Sequence, residues 1–164
     1  MSLSEFFGYR TLFDRIVRPQ RDDVIRQLVE GLAGAGRVER DSVPTIIDAL
    51  IRRESLGSTG IGRSIAVPHT RHRPLTEPVG ALAIVPGGVD FDSLDRELVY
   101  VVCLCLAPPP SPHTHLGRLV PPVIEELHRN LRNTNFVASL RDARSPTDID
   151  RILESADRGD FHTT

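Results

Sequence analysis

Two early stretches of the chain carry apolar residues at helical spacing. Val24, Ile25, Leu28, Val29 and Leu32 form one stripe, with Gly34 and Gly36 behind it, so the pattern predicts a helix over 22–35. Ile46, Ile47, Leu50 and Ile51 form a second stripe after Asp41-Ser42 and Pro44. That predicts a helix capped by Asp41-Ser42 and ending in Arg52-Arg53-Glu54. The period then shortens. Residues 64–67 read as a short strand, 79–85 as a second and 98–106 as a third. The third run, LVYVVCLCL, is apolar almost throughout and predicts a central strand buried on both faces. Helical patterns return over 116–131, 134–141 and 146–153, and 157–164 reads as a loose tail. Helices flanking a few strands predict one α/β layered domain over 1–156, with no repeat and no linker.

The polar segments between these elements carry the turn residues. PGGVDFDSLDRE separates the second and third strands, and APPPSPHTH follows the third. The stretch GSTGIG, from Gly57, precedes the first strand, and that strand runs into Pro68-His69.

Composition narrows the chemistry more than the fold. The 164 residues carry a net charge of -2, so no global field argues for nucleic acid or an anionic membrane. All 20 basic residues are arginine, which excludes a catalytic lysine, a Schiff base and a P-loop lysine. Cys103 and Cys105 stand at i, i+2 within the apolar run and suit two buried small hydrophobes, pointing into the sheet packing and away from the histidines of the loops. The N-terminal MSLSEFFGYR lacks the apolar core of a signal peptide. No apolar run reaches the ~18 residues of a spanning helix. The expectation is a cytoplasmic chain with no segment inserted in a membrane.

Four of the six histidines fall in two loops after strand ends, where open α/β sheets place their sites: His69 and His72, then His113 and His115. A neutral imidazole is a good nucleophile near neutral pH, and a phosphohistidine passes its group on. Pro68 restrains the backbone just before His69. Gly57, Gly60 and Gly62 allow backbone N–H groups to approach an anion, and Ser58 and Thr59 add hydroxyl donors. Arg53, Arg71 and His115 are candidate partners for phosphate charge, an arginine fork matching phosphate geometry. Each feature also has a purely structural reading: glycines that turn the chain, an arginine at a helix C-terminus, solvated histidines. His128, within a helix, and His162, in the tail, receive no function. The rival chemistry is a metal-dependent hydrolase built on His69, His72, His113 and His115, although none of their spacings is a recognised zinc signature. No cofactor is expected.

Taken in order, Arg53-Glu54, GSTGIG, SIAVPH, GGVDFDSLD, the apolar strand ending in LAPP, and His115-Leu116 resemble the enzyme IIA domain of the fructose, mannitol and nitrogen-regulatory branch of the bacterial phosphotransferase system. The resemblance covers about 22–153. It implies a mixed central β-sheet flanked by helices on both faces. It implies that His69 accepts a phosphoryl group from the histidine-containing phosphocarrier protein, that His115 is the second active-site histidine and that Arg53 is the arginine upstream. It also implies onward transfer to a IIB domain for sugar uptake, or a phosphorylation state read by a regulatory partner protein.

Three positions leave the family's pattern. Thr70 stands where the family has glycine, His72 is an additional histidine, and Pro121-Pro122 falls where the family has an uninterrupted helix, which predicts a kink or break. These departures keep open a further reading, a regulatory protein-binding module that has lost phosphotransfer.

Overall fold

The computed structural model describes residues 1–110 and 120–162. His113 and His115 therefore lie outside the described residues. The elements in chain order are α1 (Leu3–Phe6), β1 (Phe7–Leu12), α2 (Arg21–Gly34), α3 (Val43–Leu56), β2 (Gly60–Gly62), β3 (Ile65–Ala66), β4 (His69–Arg71), β5 (Val79–Val89), β6 (Val99–Ala107), α4 (Pro122–Leu131), α5 (Thr134–Asp142) and α6 (Pro146–Asp157).

The sheet is mixed. Its strand order is β1-β5-β6-β3-β2, and β4 also pairs with β6. β1 runs parallel to β5, β5 antiparallel to β6, and β3 and β4 both parallel to β6. The side chains of β6 alternate between two cores. Val101, Cys103 and Cys105 pack with α1, α4, α5 and α6, while Val102, Leu104 and Leu106 pack with α2 and α3. This double burial is why LVYVVCLCL shows no polar alternation. The expected architecture, a mixed sheet with helices on both faces, is the observed one.

Several boundaries differ from the sequence reading. α1 and β1 are absent from it. β1 is an edge strand whose residues after Phe7 are all only partly buried, so it lacks the alternation that marks a half-buried strand. α3 is entered through a 3-10 turn at Arg40–Ser42, and Ser42 makes no side-chain cap bond, so the expected Asp41-Ser42 cap does not form. β5 continues through Pro86-Gly87-Gly88 to Val89, which pairs with Val99 after a register shift. Among the described residues Pro121-Pro122 stands at the start of a helix, and 116–119 of the expected 116–131 helix lie outside them. Pro121 is the N-cap of α4, and Pro122 occupies the first turn, where a missing N–H leaves nothing unpaired.

The segment expected to be a loose tail folds back on the core as far as His162. Phe161 packs edge-on against Phe136, with ring centroids 5.3 Å apart, and its carbonyl accepts from Asn133 Nδ2. Asp157, the last residue of α6, accepts from Leu3 N at 2.7 Å, Ser4 N at 3.2 Å and Ser4 Oγ at 2.6 Å, and so ties the two ends of the fold together. Asp157→Ala is expected to cost about 1–2 kcal/mol, read as a lower urea midpoint at unchanged m.

Burial also fixes the state of the two thiols. It pushes Cys105 up to about 12 and Cys103 well above the ordinary 9.0, the neighbouring Cys105 adding to the shift at Cys103. Well below pH 9 both thiols are neutral whether folded or unfolded. Above it the unfolded chain ionises first, so stability falls as pH rises from about 9 towards 12, by up to about 1.4 kcal/mol per unit and thiol. Iodoacetamide at pH 8.5 is expected to leave the folded chain unlabelled and to alkylate both cysteines after denaturation, counted by mass spectrometry.

Candidate functional site

The site begins with the chain running along the free edge of β6. Ser64 O accepts from Val101 N at 3.0 Å, Ile65 and Ala66 pair with Val101 and Val102, and His69, Thr70 and Arg71 pair with Cys105, Leu106 and Ala107. The line breaks only at Val67-Pro68, where the Val67 N–H turns aside to Thr59 O at 3.0 Å. Pro68 falls where β6 asks for an acceptor alone: its carbonyl accepts from Cys105 N at 2.9 Å. His69 therefore belongs to a strand and not to a loop after one. Thr70 sits in the same extended segment, which a β-branched residue favours, so the glycine of the family pattern is not needed there.

Strand alternation sorts the residues beyond Pro68. His69 and Arg71 face a cleft of about 440 Å³, and Thr70 and His72 do not. The Nδ1 of His69 lies 2.8 Å from Val67 O. A carbonyl only accepts, so Nδ1 carries the proton and the exposed ring presents the lone pair of Nε2. His72 belongs to another environment: burial lowers its pKa, and Glu39 opposes that shift. The two histidines of H-x-x-H do not share a site.

The opposite wall is the end of α3 and the turn after it. Arg53 Nη1 donates to Gly57 O at 2.7 Å. Glu54, only 4% exposed, accepts from Thr59 N at 3.1 Å and from the Thr59 hydroxyl. Ser58 Oγ donates to Phe91 O and accepts from Gly60 N at 2.9 Å. Ser58 and Thr59 do line the cleft, but both hydroxyl protons are committed to holding the turn. Gly60 and Gly62 do not line it. A Cβ on Gly60 would collide with Ser93 Oγ, and Gly62 has φ of 83°, so each glycine serves the path of the chain.

The same contacts explain the acidic loop, to which sequence reading assigns no chemistry. Phe91 is anchored in the core. Its carbonyl meets Ser58, Ser93 fills the space under Gly60, and Asp95 accepts from Arg63 N at 3.1 Å. Residues 90–95 are the strut behind the glycine turn.

The cleft thus gathers five of the expected site residues, Arg53, Ser58, Thr59, His69 and Arg71. Arg71 also donates to Pro108 O at 3.2 Å. The expected His115 lies outside the described residues. Eight further lining residues are not anticipated as such by the sequence, Cys105, Ile124 and His128 among them. Cys105, expected to point away from the loop histidines, forms part of the floor, because parallel pairing places it beside His69. Ile124 and His128 come from α4, whose Pro121, Ile124 and His128 recur at helical spacing along one stripe. Burial lowers the pKa of His128, and Arg132 and His69 push it the same way. Among the described residues, no three His, Cys, Asp or Glu side chains are grouped to hold a metal ion, and no helix is long and apolar enough to cross a membrane.

Known proteins resemble this chain in sequence and in fold. The fructose-specific EIIABC component of Bacillus subtilis is 32% identical over 120 residues, 73% of this chain but only 18% of that protein's length. The fructose-specific EIIA component of Haloferax volcanii is 28% identical, covering 81% of this chain and 82% of its own. The nitrogen regulatory protein of Bradyrhizobium diazoefficiens is 30% identical, covering 77% and 79%. Among solved structures, the nitrogen regulatory protein IIA-Ntr of Neisseria meningitidis superimposes with a TM-score of 0.70 at 24% identity, over 92% of this chain and 98% of that one. The Escherichia coli mannitol IIA, solved in complex with phosphorylated mannitol IIB, superimposes with a TM-score of 0.64 at 23% identity, over 88% and 94%. The family model described as phosphoenolpyruvate-dependent sugar phosphotransferase system, EIIA 2, matches residues 7–156, and the chain belongs to that family of phosphocarriers.

Proposed function

We propose that this chain accepts a phosphoryl group on Nε2 of His69 from a histidine-containing phosphocarrier protein in the cytoplasm. It then passes the group to a IIB domain or presents it to a regulatory partner. The observation that carries this reading is the bond between Nδ1 of His69 and the Val67 carbonyl, in a cleft that also holds Arg53 and Arg71.

The bond decides both halves of the reaction. On the way in, the Nε2 lone pair attacks phosphorus, the N–P bond of the donor breaks, and its electron pair stays on the donor's ring nitrogen. In the neutral ring no proton has to leave Nε2, because the one proton sits on Nδ1. On the way out, the proton kept on Nδ1 leaves the ring a good leaving group for the next acceptor. Phosphoryl transfer calls for positioning and charge stabilisation, which two guanidinium forks beside the ring supply. Val67, Cys105, Ala107 and Ile124 give the cleft an apolar floor beside the ring.

The onward partner is supported by the mannitol IIA neighbour, which was solved with its phosphorylated IIB. Relatives of both the fructose and the nitrogen-regulatory kind support the two destinations.

Incubation with the phosphorylated carrier is expected to give acid-labile, base-stable phosphate on the wild-type chain. His69→Ala should reduce the label to background, while His72→Ala keeps it. Equal labelling of wild type and His69→Ala would overturn the assignment. Gly60→Ala, which drives a methyl group into Ser93, is expected to lower stability by about 1–3 kcal/mol and to slow labelling at least several-fold.

A further inference from the structure

α4 is split cleanly between two duties. Val123, Leu127, Asn130 and Leu131 are buried towards the sheet, whereas Ile124 and His128 line the cleft together with Pro121 at the helix start. Helix geometry puts residues 121, 124 and 128 on one stripe, and His128 is its polar member. It faces the cleft from the side opposite to α3, which contributes Arg53.

We propose that His128 is a second working imidazole of this cleft: in its protonated form it donates a hydrogen bond to a phosphoryl oxygen carried on Nε2 of His69. The inference rests on phosphorylation of His69 as proposed above.

The charges around the ring explain why it waits neutral. Among the described residues, β4 contributes His69 and Arg71 to the same cleft, α3 contributes Arg53, and α4 places Arg132 one turn beyond. Glu126, on the same helix, is held by Arg129 at 2.9 Å and by Asn130 Nδ2 at 3.1 Å. Glu125 also stands on this helix, three residues before the ring, but burial acts first on His128, and the charges of Arg132 and His69 add to it in disfavouring a further proton. A phosphoryl group on His69 reverses the balance, since it brings about two negative charges at neutral pH. His128 then gains a proton from solvent and an anionic acceptor in one step. By linkage, this residue favours the phosphorylated chain as pH falls through the raised pKa of His128 and adds nothing above it.

The test titrates the histidine rings by heteronuclear NMR in the full chain, before and after treatment with phosphoramidate, a small N–P phosphoryl donor. The pKa of His128 is expected to rise by about one unit or more when His69 carries the phosphoryl group. Phosphate on His69 with the pKa of His128 unmoved overturns this inference and leaves the proposed function standing. A chain that takes no phosphate on His69, from phosphoramidate or from the phosphorylated carrier, overturns both. A second arm measures the phosphorylated fraction at equilibrium with a phosphohistidine carrier. His128→Ala is expected to lower it by about tenfold at pH 6.5, and His128→Arg, which keeps a fixed cation, to restore most of it without pH dependence. Both variants behaving as wild type overturns the inference. The ring is only partly desolvated at the cleft wall and packs in no core cluster, so helix content by circular dichroism is expected to be unchanged in both.

Discussion

Parallel pairing along one edge of β6 is the constraint on which the site depends. Backbone hydrogen bonds from Ser64 to His72 fix that edge against Val101 to Ala107. Because side chains alternate, this register alone decides that His69 and Arg71 share the cleft and that Thr70 and His72 do not. A slip of one residue would exchange the two sets. The interruption at Val67-Pro68 lets the Val67 carbonyl come within 2.8 Å of Nδ1 of His69. Fold and chemistry are joined at that bond: the strand edge sets the ring, and the carbonyl sets its tautomer.

A second layer braces the opposite wall. The Gly57–Gly62 turn has little packing of its own, and its shape comes from its surroundings. Glu54 holds it from inside through Thr59, Phe91 holds it from below through Ser58, and Ser93 and Asp95 fill or bind the positions that the glycines open. Leu94, 98% exposed, is at the tip of this strut, whereas Phe91 at its root is fully buried. Rigidity in this wall suits the transfer proposed above, since a cleft of fixed shape needs no reorganisation when charge arrives. The acidic loop contributes to the site by shape, at a position where its charge would repel the ligand if it faced the cleft.

Much of this is legible in the sequence, and the exceptions have physical reasons. The helices α2, α3, α5 and α6 show their burial as period, because each meets the core on one defined face, and β6 shows it as an unbroken apolar run, because it meets the core on two. β1 is invisible because an edge strand that is only partly buried need not alternate. β2 and β4 are invisible because strands of three residues carry no period. Pro121-Pro122 reads as a break because sequence alone does not say whether a proline pair stands inside a helix or at its first turn. Within the site, the residue types and order point to His69, Arg53 and the glycine turn. Whether a hydroxyl faces ligand or backbone depends on partners distant in sequence, which is why Ser58 and Thr59 read as phosphate donors. His128 escapes notice for a similar reason. Its helix face can be read from period, but the face is ambiguous until the start of α4 is fixed.

The departures from the family pattern can be weighed on structure. Thr70 stands in extended backbone, where a β-branched residue is at home and a glycine would cost conformational entropy. His72 points away from the cleft and feels Glu39 instead of the His69 ring. The proline pair sits where its missing N–H groups cost least, and by starting the helix at Pro122 it sets the rotation that turns Ile124 and His128 towards His69. None of the three departures takes a donor, a charge or a nucleophile out of the cleft. A binding module that had drifted away from phosphotransfer would be expected to lose first what only transfer requires: an unprotonated ring nitrogen facing the cleft and guanidinium groups beside it. Those are the features that the backbone register and the Val67 carbonyl hold in place. The transfer reading proposed above therefore rests on the shared cleft and on the bond between His69 Nδ1 and the Val67 carbonyl, beyond the sequence motif that surrounds them.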